Sequence, residues 1–215
     1  MTAAEQKPLL IFPCNGNAVE ALDCITDDYR LLGFVDDTPE KQGTEVCGHY
    51  VHGREALGRW PEACVLAVPG SPVSYRIRQG IIESLDISAD RLATVVHPSA
   101  SVSSLAVLGR NVLIMAGVVI TSNAVIGDHV CILPNTVIHH DVVVGDWCLV
   151  GSNVTLAGQT RIGMNCYLGS GSSIMNGLRV GDGALVGIGA NVIRDVSPGY
   201  KVAGNPARRI GGEDA

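Results

Sequence analysis

The chain has 215 residues, of which 47% are hydrophobic but only 4% are aromatic, and its net charge is −6. A core of Val, Ile, Leu and Ala with 26 glycines at the bends suits many short strands and argues against a helix bundle. The absence of a basic stripe argues against nucleic acid as a partner. Because no apolar run is long enough to span a membrane and no stretch resembles a signal peptide, we expect a cytoplasmic protein.

Residues 1–95 alternate short apolar stretches with helical ones. The predicted elements, in chain order, are strand Leu9–Phe12, helix Ala18–Ile25, strand Leu31–Val35, helix Arg54–Trp60, strand Cys64–Val68, helix Val73–Ser84 and strand Ala93–Val96. Such alternation predicts a small α/β unit with a short parallel sheet. Ligands of these sheets bind beyond the carboxyl ends of the strands.

Polar residues follow two of the predicted strands. Asn15, Gly16 and Asn17 lie in the turn after the first strand, and Asp36 and Asp37 end the second. Gly16 allows the backbone to approach a phosphate at a helix start, and an acidic strand end can bind a ribose or a base. The full G-x-G-x-x-G pattern is absent, so a nicotinamide cofactor is not favoured. An ordinary turn with a solvated acidic pair is the alternative.

From Val96 onward, an aliphatic residue occupies every sixth position without a gap. The series is Val96, Val102, Leu108, Ile114, Ile120, Ile126, Ile132, Ile138, Val144, Val150, Leu156, Ile162, Leu168, Ile174, Val180, Val186 and Val192. A period of six excludes an amphipathic helix and a simple alternating strand. It predicts a parallel β-helix in which three hexads form one triangular coil, with each aliphatic side chain stacked inward on its counterpart eighteen residues away.

One hexad of the series contains His139, His140 and Asp141, and His140 should face outward at a corner. Many nucleophiles must lose a proton as they attack. A neutral imidazole, with an ordinary pKa of about 6.5, can accept that proton near neutrality, and an adjacent carboxylate can fix its tautomer. Taken alone, His140 is as consistent with a solvated corner histidine as with a general base.

The seven cysteines are odd in number and include no CxxC pair, which predicts free thiols and no metal site. Cys148 falls on a small inward position of its hexad, so we expect it in the core and not as a nucleophile. The tail after Val196 leaves the six-residue series, and its prolines and glycines are expected to interrupt regular structure. Arg208 and Arg209 in this tail are candidates for phosphate contacts, and a solvated basic tail is the alternative.

The uninterrupted hexads resemble the hexapeptide-repeat acyltransferases. An α/β unit before such a prism is similar to the sialic acid O-acetyltransferase-like group, which includes N-acetyltransferases for bacillosamine and perosamine nucleotides. The resemblance implies an α/β unit with a short parallel sheet followed by a left-handed parallel β-helix, assembled as a homotrimer with active sites between prisms. Residues 1–95 would hold the nucleotide sugar, and residues 96–215 would bind acetyl-CoA.

Two local motifs carry the catalytic part of the resemblance. The string VIHHDVVVG resembles the I-x-H-[DE]-x-x-[IV]-G motif, which matches His140 to the catalytic base and Asp141 to its acidic neighbour. The segment TLAGQ matches Gly158 to the backbone donor for the oxyanion. Many members carry a second histidine in a segment that reads GDWCLV here, where Leu149 replaces it, so the coenzyme contacts of that histidine are lost.

The resemblance also implies the ligand contacts. Ala157, Gly158 and Gly187 would contact acetyl-CoA, and Arg208 and Arg209 belong to a GNPAR segment that lies near the coenzyme in many members.

For the nucleotide sugar, the turn PCNGNA is similar to the family's G-x-[SG]-G-[HG]-x. Gly16 matches that pattern, whereas Pro13 and Asn17 depart from the usual Gly and His. Asp36 and Asp37 match an acidic pair that accepts hydrogen bonds from the nucleobase.

The resulting functional hypothesis is acetyl-CoA-dependent N-acetylation of a nucleotide-linked amino sugar, of the GDP-perosamine or UDP-4-amino-sugar type, in surface-glycan synthesis. O-acetylation of a sialic acid-like sugar is one alternative. A non-catalytic trimeric binding scaffold is the other.

Overall fold

The computed structural model describes residues 6–211 as two units packed together. The strands of the N-terminal unit are β1 Lys7–Phe12, β2 Tyr29–Val35, β3 Glu45–Val46, β4 His49–His52 and β5 Cys64–Ala67. They form one sheet in the order β3-β4-β2-β1-β5, in which every neighbouring pair is parallel except the antiparallel β3–β4 hairpin. The predicted α/β unit with a short parallel sheet is confirmed.

The helices of this unit are short. They are α1 Gly16–Glu20, α2 Glu55–Arg59 and α3 Arg78–Glu83, with 3₁₀ helices at Ala21–Cys24, Tyr75–Ile77 and Ala89–Arg91. The helix predicted to begin at Ala18 begins two residues earlier, because the Asn15 side chain caps it by accepting from the Ala18 N–H at 2.9 Å.

Seventeen two-residue strands follow at intervals of six residues. They are β6 Val95–Val96, β7 Ser101–Val102, β8 Val107–Leu108, β9 Leu113–Ile114, β10 Val119–Ile120, β11 Val125–Ile126, β12 Cys131–Ile132, β13 Val137–Ile138, β14 Val143–Val144, β15 Leu149–Val150, β16 Thr155–Leu156, β17 Arg161–Ile162, β18 Tyr167–Leu168, β19 Ser173–Ile174, β20 Arg179–Val180, β21 Leu185–Val186 and β22 Asn191–Val192. The second residue of each strand is the aliphatic residue of the six-residue series.

The strands stack into three parallel faces of a left-handed β-helix, as predicted. Face 1 contains β6, β9, β12, β15, β18 and β21; face 2 runs from β7 to β22; and face 3 runs from β8 to β20. Each strand pairs with the strand eighteen residues away, as Val119 does with Val137. The second residue of each strand points inward, and from Ile114 to Val192 these side chains are buried in one continuous core.

The corners between the faces require unusual backbone conformations. Asn123, Asp141 and Gln159, all at the edge between faces 2 and 3, have positive φ angles of 58°, 60° and 64°. Asn and Asp tolerate this left-handed region better than most residues. We call this corner edge 2–3; it comprises residues 103–106, 121–124, 139–142, 157–160, 175–178 and 193–196.

The prediction that the tail lacks regular structure was wrong. Strand β23, Lys201–Ala203, extends face 1 by pairing with β21, and β24, Arg208–Gly211, folds back on it antiparallel. Val202 is buried on the end of the prism core, so apolar stacking continues after the strict six-residue spacing ends. The strand predicted at Ala93–Val96 is also shorter, Val95–Val96, and pairs with β9 of the prism.

The N-terminal unit packs against face 1. Outward side chains of that face, including Leu113, Cys131 and Leu149, share a buried apolar cluster with Leu9 and Ile11 of the N-terminal sheet. No helix within residues 6–211 has the length and apolar character needed to cross a bilayer. The docking leaves edge 2–3 on the far side of the prism from the N-terminal unit.

Candidate active site

His140 and Asp141 form an ion-pair geometry on edge 2–3. His140 Nδ1 lies 2.8 Å from Asp141 Oδ2, and the two side chains are 55% and 46% exposed. The hydrogen bonds from His140 and then from Asn123 hold the pKa of the Asp141 carboxyl below its usual range. An ionised carboxylate only accepts hydrogen bonds, so Nδ1 of a neutral His140 carries the proton and Nε2 keeps its lone pair.

Asp141 has a second donor that the sequence motif did not indicate. Asn123 Nδ2 donates to Asp141 Oδ1 at 3.1 Å, so each carboxylate oxygen has its own partner. Asn123 lies one coil before Asp141 on the same edge. Only the eighteen-residue spacing could have revealed this contact from the sequence.

Gly158 lies one coil beyond His140, directly against its ring. A Cβ placed on Gly158 would lie 2.5 Å from His140 Nε2 and 2.7 Å from Cε1. No hydrogen bond among residues 6–211 uses the Gly158 N–H, whereas the Ala157 N–H donates to Ile174 at 3.1 Å. The structure therefore brings together His140, Asp141 and Gly158, and of the two backbone donors only Gly158 is available to a ligand.

The predicted nucleotide residues lie at the carboxyl ends of β1 and β2. Besides capping α1, Asn15 donates through Nδ2 to the Val68 carbonyl at 3.3 Å, so its side chain is occupied by the fold. A methyl group added at Gly16 would meet no atom of the described residues within 4 Å, so the space beside this glycine is open. Asn17 lines a cavity described below.

Asp36 and Asp37 are both paired with cations. Asp36 is 2% exposed, and it accepts from Lys41 at 3.0 Å and from the Thr38 N–H at 2.9 Å. Burial raises the pKa of Asp36, but these hydrogen bonds outweigh it and the net pKa is lowered. Asp37 receives two bonds from Arg54, at 2.6 and 2.7 Å. The acidic pair therefore presents an alternating set of carboxylates and cations.

Two cavities meet at Gly70. One, of about 370 Å³, is lined by Asp36, Asp37, Lys41 and Arg54. The other, of about 200 Å³, lies between Asn17 and Ser71 of the N-terminal unit and face 1 of the prism. Gly70 lines both cavities.

A buried cation lies behind Gly70. Arg78 is fully buried; its guanidinium donates to the carbonyls of Pro69 and His129, and its Nη2 has no partner among residues 6–211. Burial lowers the pKa of Arg78 to about 10, so the side chain is still charged near neutrality. A methyl group on Gly70 would lie 3.2 Å from Arg78 Cδ, so this charge lies immediately behind the wall of both cavities.

The tail residues surround a third cavity, of about 200 Å³. Its lining includes Arg194, Tyr200, Arg208 and Arg209, and the Arg209 guanidinium lies 4.0 Å from the centre of the Tyr200 ring. Gly187 lies outside this lining; its N–H donates to Val202 at 2.7 Å, and a methyl group there would meet Ala203. The sequence interpretation missed Arg194, whose membership of edge 2–3 follows from its spacing of three coils from His140.

Comparison with known proteins agrees with the fold and with the repeat. The family model described as bacterial transferase hexapeptide (six repeats) matches residues 105–140 and 123–158, and the hexapeptide repeat of succinyl-transferase matches residues 159–193. No curated protein matches the chain in sequence.

Several solved structures resemble the chain over nearly its whole length. The acetyltransferase domain of PglB from Neisseria gonorrhoeae FA1090, in complex with acetyl coenzyme A, is 27% identical, with a TM-score of 0.85 over 96% of this chain and 100% of that one. PerB from Caulobacter crescentus, in complex with CoA and GDP-perosamine, is 28% identical, with a TM-score of 0.82 over 97% and 99%. WeeI from Acinetobacter baumannii AYE shares the fold at 22% identity, with a TM-score of 0.81 over 96% and 100%. The chain thus contains the hexapeptide repeat of bacterial transferases and resembles, over nearly its whole length, acetyltransferases solved with acetyl coenzyme A or with CoA and GDP-perosamine.

Proposed function

We propose that the protein is a cytoplasmic, homotrimeric enzyme that transfers the acetyl group of acetyl-CoA to the amine of a nucleotide-linked amino sugar. The observation that carries the proposal is the His140–Asp141 pair on an exposed edge, beside the Gly158 N–H, which is unpaired within residues 6–211. The similarity to the Neisseria domain bound to acetyl coenzyme A and to the Caulobacter enzyme bound to CoA and GDP-perosamine supports both substrates.

The proposed chemistry assigns one task to each of the three residues. His140 Nε2 accepts the proton of the amine as its nitrogen attacks the thioester carbon. Asp141 stabilises the imidazolium that forms, and the Gly158 N–H donates to the oxygen on which negative charge develops. The thiolate of the coenzyme leaves as the carbonyl re-forms and takes the proton held on His140 Nε2, which restores the neutral imidazole. Cys148 is buried in the prism core, and burial raises the pKa of its thiol well above the ordinary value, which favours direct transfer over an acyl-cysteine.

In the proposed binding mode, the coenzyme lies along edge 2–3. The cavity lined by Arg194, Arg208 and Arg209 lies on this edge, three coils beyond His140. Stacked strands are about 4.8 Å apart, so three coils correspond to about 14 Å. That distance suits an extended pantetheine arm between a thioester at His140 and phosphates near the arginines, which are good phosphate ligands. We propose residues 96–215 as the acetyl-CoA-binding domain.

The N-terminal cavities suit a nucleotide sugar, and we propose residues 1–95 as its binding domain. The alternating charges of Asp36, Lys41, Asp37 and Arg54 can pair with a base that offers both N–H donors and carbonyl acceptors, as guanine and uracil do. Lys41 Nζ uses two of its three protons, on Asp36 and on the Cys14 carbonyl, and keeps one for a ligand. The charge of Arg78 favours an anionic diphosphate near Gly70.

The positions of the nucleotide cavities and of His140 within one chain support an oligomer. The cavity beside Asn17 lies against face 1 and shares Gly70 with the cavity lined by Asp36 and Asp37, whereas His140 lies on edge 2–3, across the prism from that face. One chain cannot bring its own nucleotide-bound sugar to its own His140 without passing around the prism. A neighbouring copy that presents its edge 2–3 to these cavities would complete the site, as in a trimer with sites between prisms.

The proposal is tested by incubating the purified protein with acetyl-CoA and a panel of UDP-, GDP- and dTDP-linked 4-amino sugars, and by following thiol release. We expect release with at least one sugar and a product that resists hydroxylamine, because amides resist it. An ester product would instead support O-acetylation. No release with any sugar, together with no binding of acetyl-CoA by calorimetry, would favour the scaffold alternative.

His140→Asn tests the assigned base. We expect kcat to fall by at least about 100-fold, the lower end of what general-base catalysis contributes, while binding of the sugar nucleotide stays nearly unchanged. His139→Asn, on the same corner, is the matched control and should retain activity. Equal turnover in His140→Asn and the wild type would remove His140 from this role.

A further inference from the structure

Three side chains on edge 2–3 form a hydrogen-bonded chain that runs toward the reacting nitrogen. Asn123 Nδ2 donates to Asp141 Oδ1 at 3.1 Å, and His140 Nδ1 lies 2.8 Å from Asp141 Oδ2. We propose that Asn123 is a positioning residue for acyl transfer, which acts on His140 by fixing the carboxylate of Asp141. This proposal rests on the function proposed above.

The β-helix places Asn123 for this contact. Asn123 and Asp141 are separated by one coil and occupy the same corner position, with φ angles of 58° and 60°. The Asp141 N–H donates to the Ser122 carbonyl at 3.0 Å, which fixes the distance between the two backbones. An Asn at this position can tolerate the left-handed backbone and also supply an amide donor, whereas Gly could do only the first.

The hydrogen bond from Asn123 restrains a carboxylate that is otherwise exposed to solvent. The Asp141 side chain is 46% exposed, so packing alone leaves the carboxylate free to rotate in solvent. The bond from Asn123 to one oxygen leaves the other oxygen directed at His140 Nδ1. The hydrogen bond between Asp141 and His140 Nδ1 holds the tautomer in which Nε2, the atom facing Gly158, has the lone pair.

The first test is kinetic and uses Asn123→Gly, which keeps the left-handed backbone and removes the amide. We expect kcat to fall about five- to tenfold, as for the loss of one hydrogen bond of typical strength, with KM for both substrates unchanged. Asn153→Gly is the matched control: Asn153 is an exposed residue with φ 56° on a different edge, and its side chain makes no hydrogen bond within residues 6–211. Its kcat should equal that of the wild type.

A double-mutant cycle separates positioning from general loss of structure. In an Asp141→Gly background, which also tolerates the left-handed backbone, Asn123→Gly should cause no further loss of kcat, because Asn123 acts only through Asp141. A full additional loss in that background, or an unchanged kcat in the single variant, would overturn the proposal.

The second test needs no substrate, so it distinguishes failure of this inference from failure of the proposed function. Long-range ¹⁵N NMR at alkaline pH reports the tautomer of each neutral imidazole, and the His140→Asn spectrum identifies the His140 signals. We expect the Nδ1–H form to dominate in the wild type and the Nε2–H form to increase in Asn123→Gly. An identical tautomer ratio in the two proteins would contradict the role of Asn123.

Discussion

His140 and Gly158 lie on consecutive coils, and the absence of a side chain on Gly158 makes room for the imidazole. The space is taken by the ring itself, because a Cβ on Gly158 would come within 2.5 Å of Nε2. Gly158 has no positive φ angle, so its conformation does not require glycine. Glycine is therefore needed at position 158 so that the His140 ring can approach the backbone whose N–H is the proposed donor.

Gly158→Ala should displace the His140 ring while leaving the backbone unstrained. We expect kcat to fall about ten- to a hundredfold, since a shift of about 1 Å in a catalytic group can have such an effect. Gly80→Ala is the control, because Gly80 lies in α3 with no atom within 4 Å of the added methyl. Its kcat should not change, and its free energy of unfolding should rise by up to about 1 kcal/mol. Full activity in Gly158→Ala would contradict this account of the site.

At the residue scale, the sequence indicated groups that are adjacent in the chain and missed those that meet only in space. His140 and Asp141 are neighbours, so their pairing was predictable. The partners of Asp36 and Asp37, namely Lys41 and Arg54, approach through folding of the N-terminal unit, and no local pattern marks them. Arg78 lies in a predicted helix, but its complete burial depends on docking to the prism.

The two-residue strand is the repeating element of the molecule, and its stability comes from stacking along the prism axis. Leu156 is completely buried and lies between Ile138 and Ile174 of the adjacent coils of face 2. Each inward side chain of the middle coils has a neighbour above and below, so the core is a column of aliphatic contacts. This explains why the six-residue spacing of aliphatic residues predicted the β-helix without any use of helix or strand propensities.

Leu156→Ala should leave a cavity that the rigid coils cannot close. We expect a loss of about 2–5 kcal/mol in the free energy of unfolding, measured by urea denaturation. Leu105→Ala is the matched control, because Leu105 is 63% exposed, and its effect should stay within about 0.5 kcal/mol. Similar losses in the two variants would show that the column is not the main source of stability.

The elements that sequence reasoning missed are short and polar, or depend on neighbours for their structure. Strands β3 and β4 contain Glu45, His49 and Tyr50 and present no apolar run, yet β4 forms because β2 offers a free edge. Strand β23 forms for the same reason on β21, although the tail sequence contains residues that usually break strands. An available sheet edge outweighs local composition in both places.

The docking of the two units is the main feature at the scale of the whole molecule. Arg78 of the N-terminal unit contacts the carbonyl of His129 on the prism, and the His129 ring stacks on Trp147 with 3.8 Å between ring centres. Asn111 binds both His129 Nδ1, at 3.0 Å, and the backbone of Ala67. The junction is therefore polar as well as apolar, and it contains a titratable group.

His129 makes the stability of the molecule depend on pH. Burial, and then the charge of Arg78, lowers its pKa to about 4. An unfolded histidine takes up a proton near pH 6.5, so the free energy of unfolding should fall as the pH drops from about 6.5 to about 4, with a limiting slope of about 1.4 kcal/mol per unit. Above this range the group contributes no pH dependence. His129→Asn should reduce the slope in urea titrations, and an unchanged slope would exclude His129 as its source.

Mixing two inactive variants tests whether the site is shared between copies. His140→Asn removes the proposed base, and Ser71→Trp fills the cavity of about 200 Å³ beside Asn17. If each site uses the cavity of one copy and the His140 of another, random co-assembly of the two variants should restore about a quarter of wild-type activity. If one chain contains the whole site, the mixture should stay as inactive as its components. Each variant alone, unmixed, is the control.

The spacing between His140 and the arginine-lined cavity is set by a whole number of coils. Inserting one further eighteen-residue turn between Gly158 and Arg194 would keep every strand in register and every aliphatic side chain facing inward. It would nevertheless move the two ends of the groove apart by about 4.8 Å. The stacking that folds the prism does not depend on the number of coils. The length of coenzyme that fits between His140 and the arginines, in the proposed binding mode, does depend on that number.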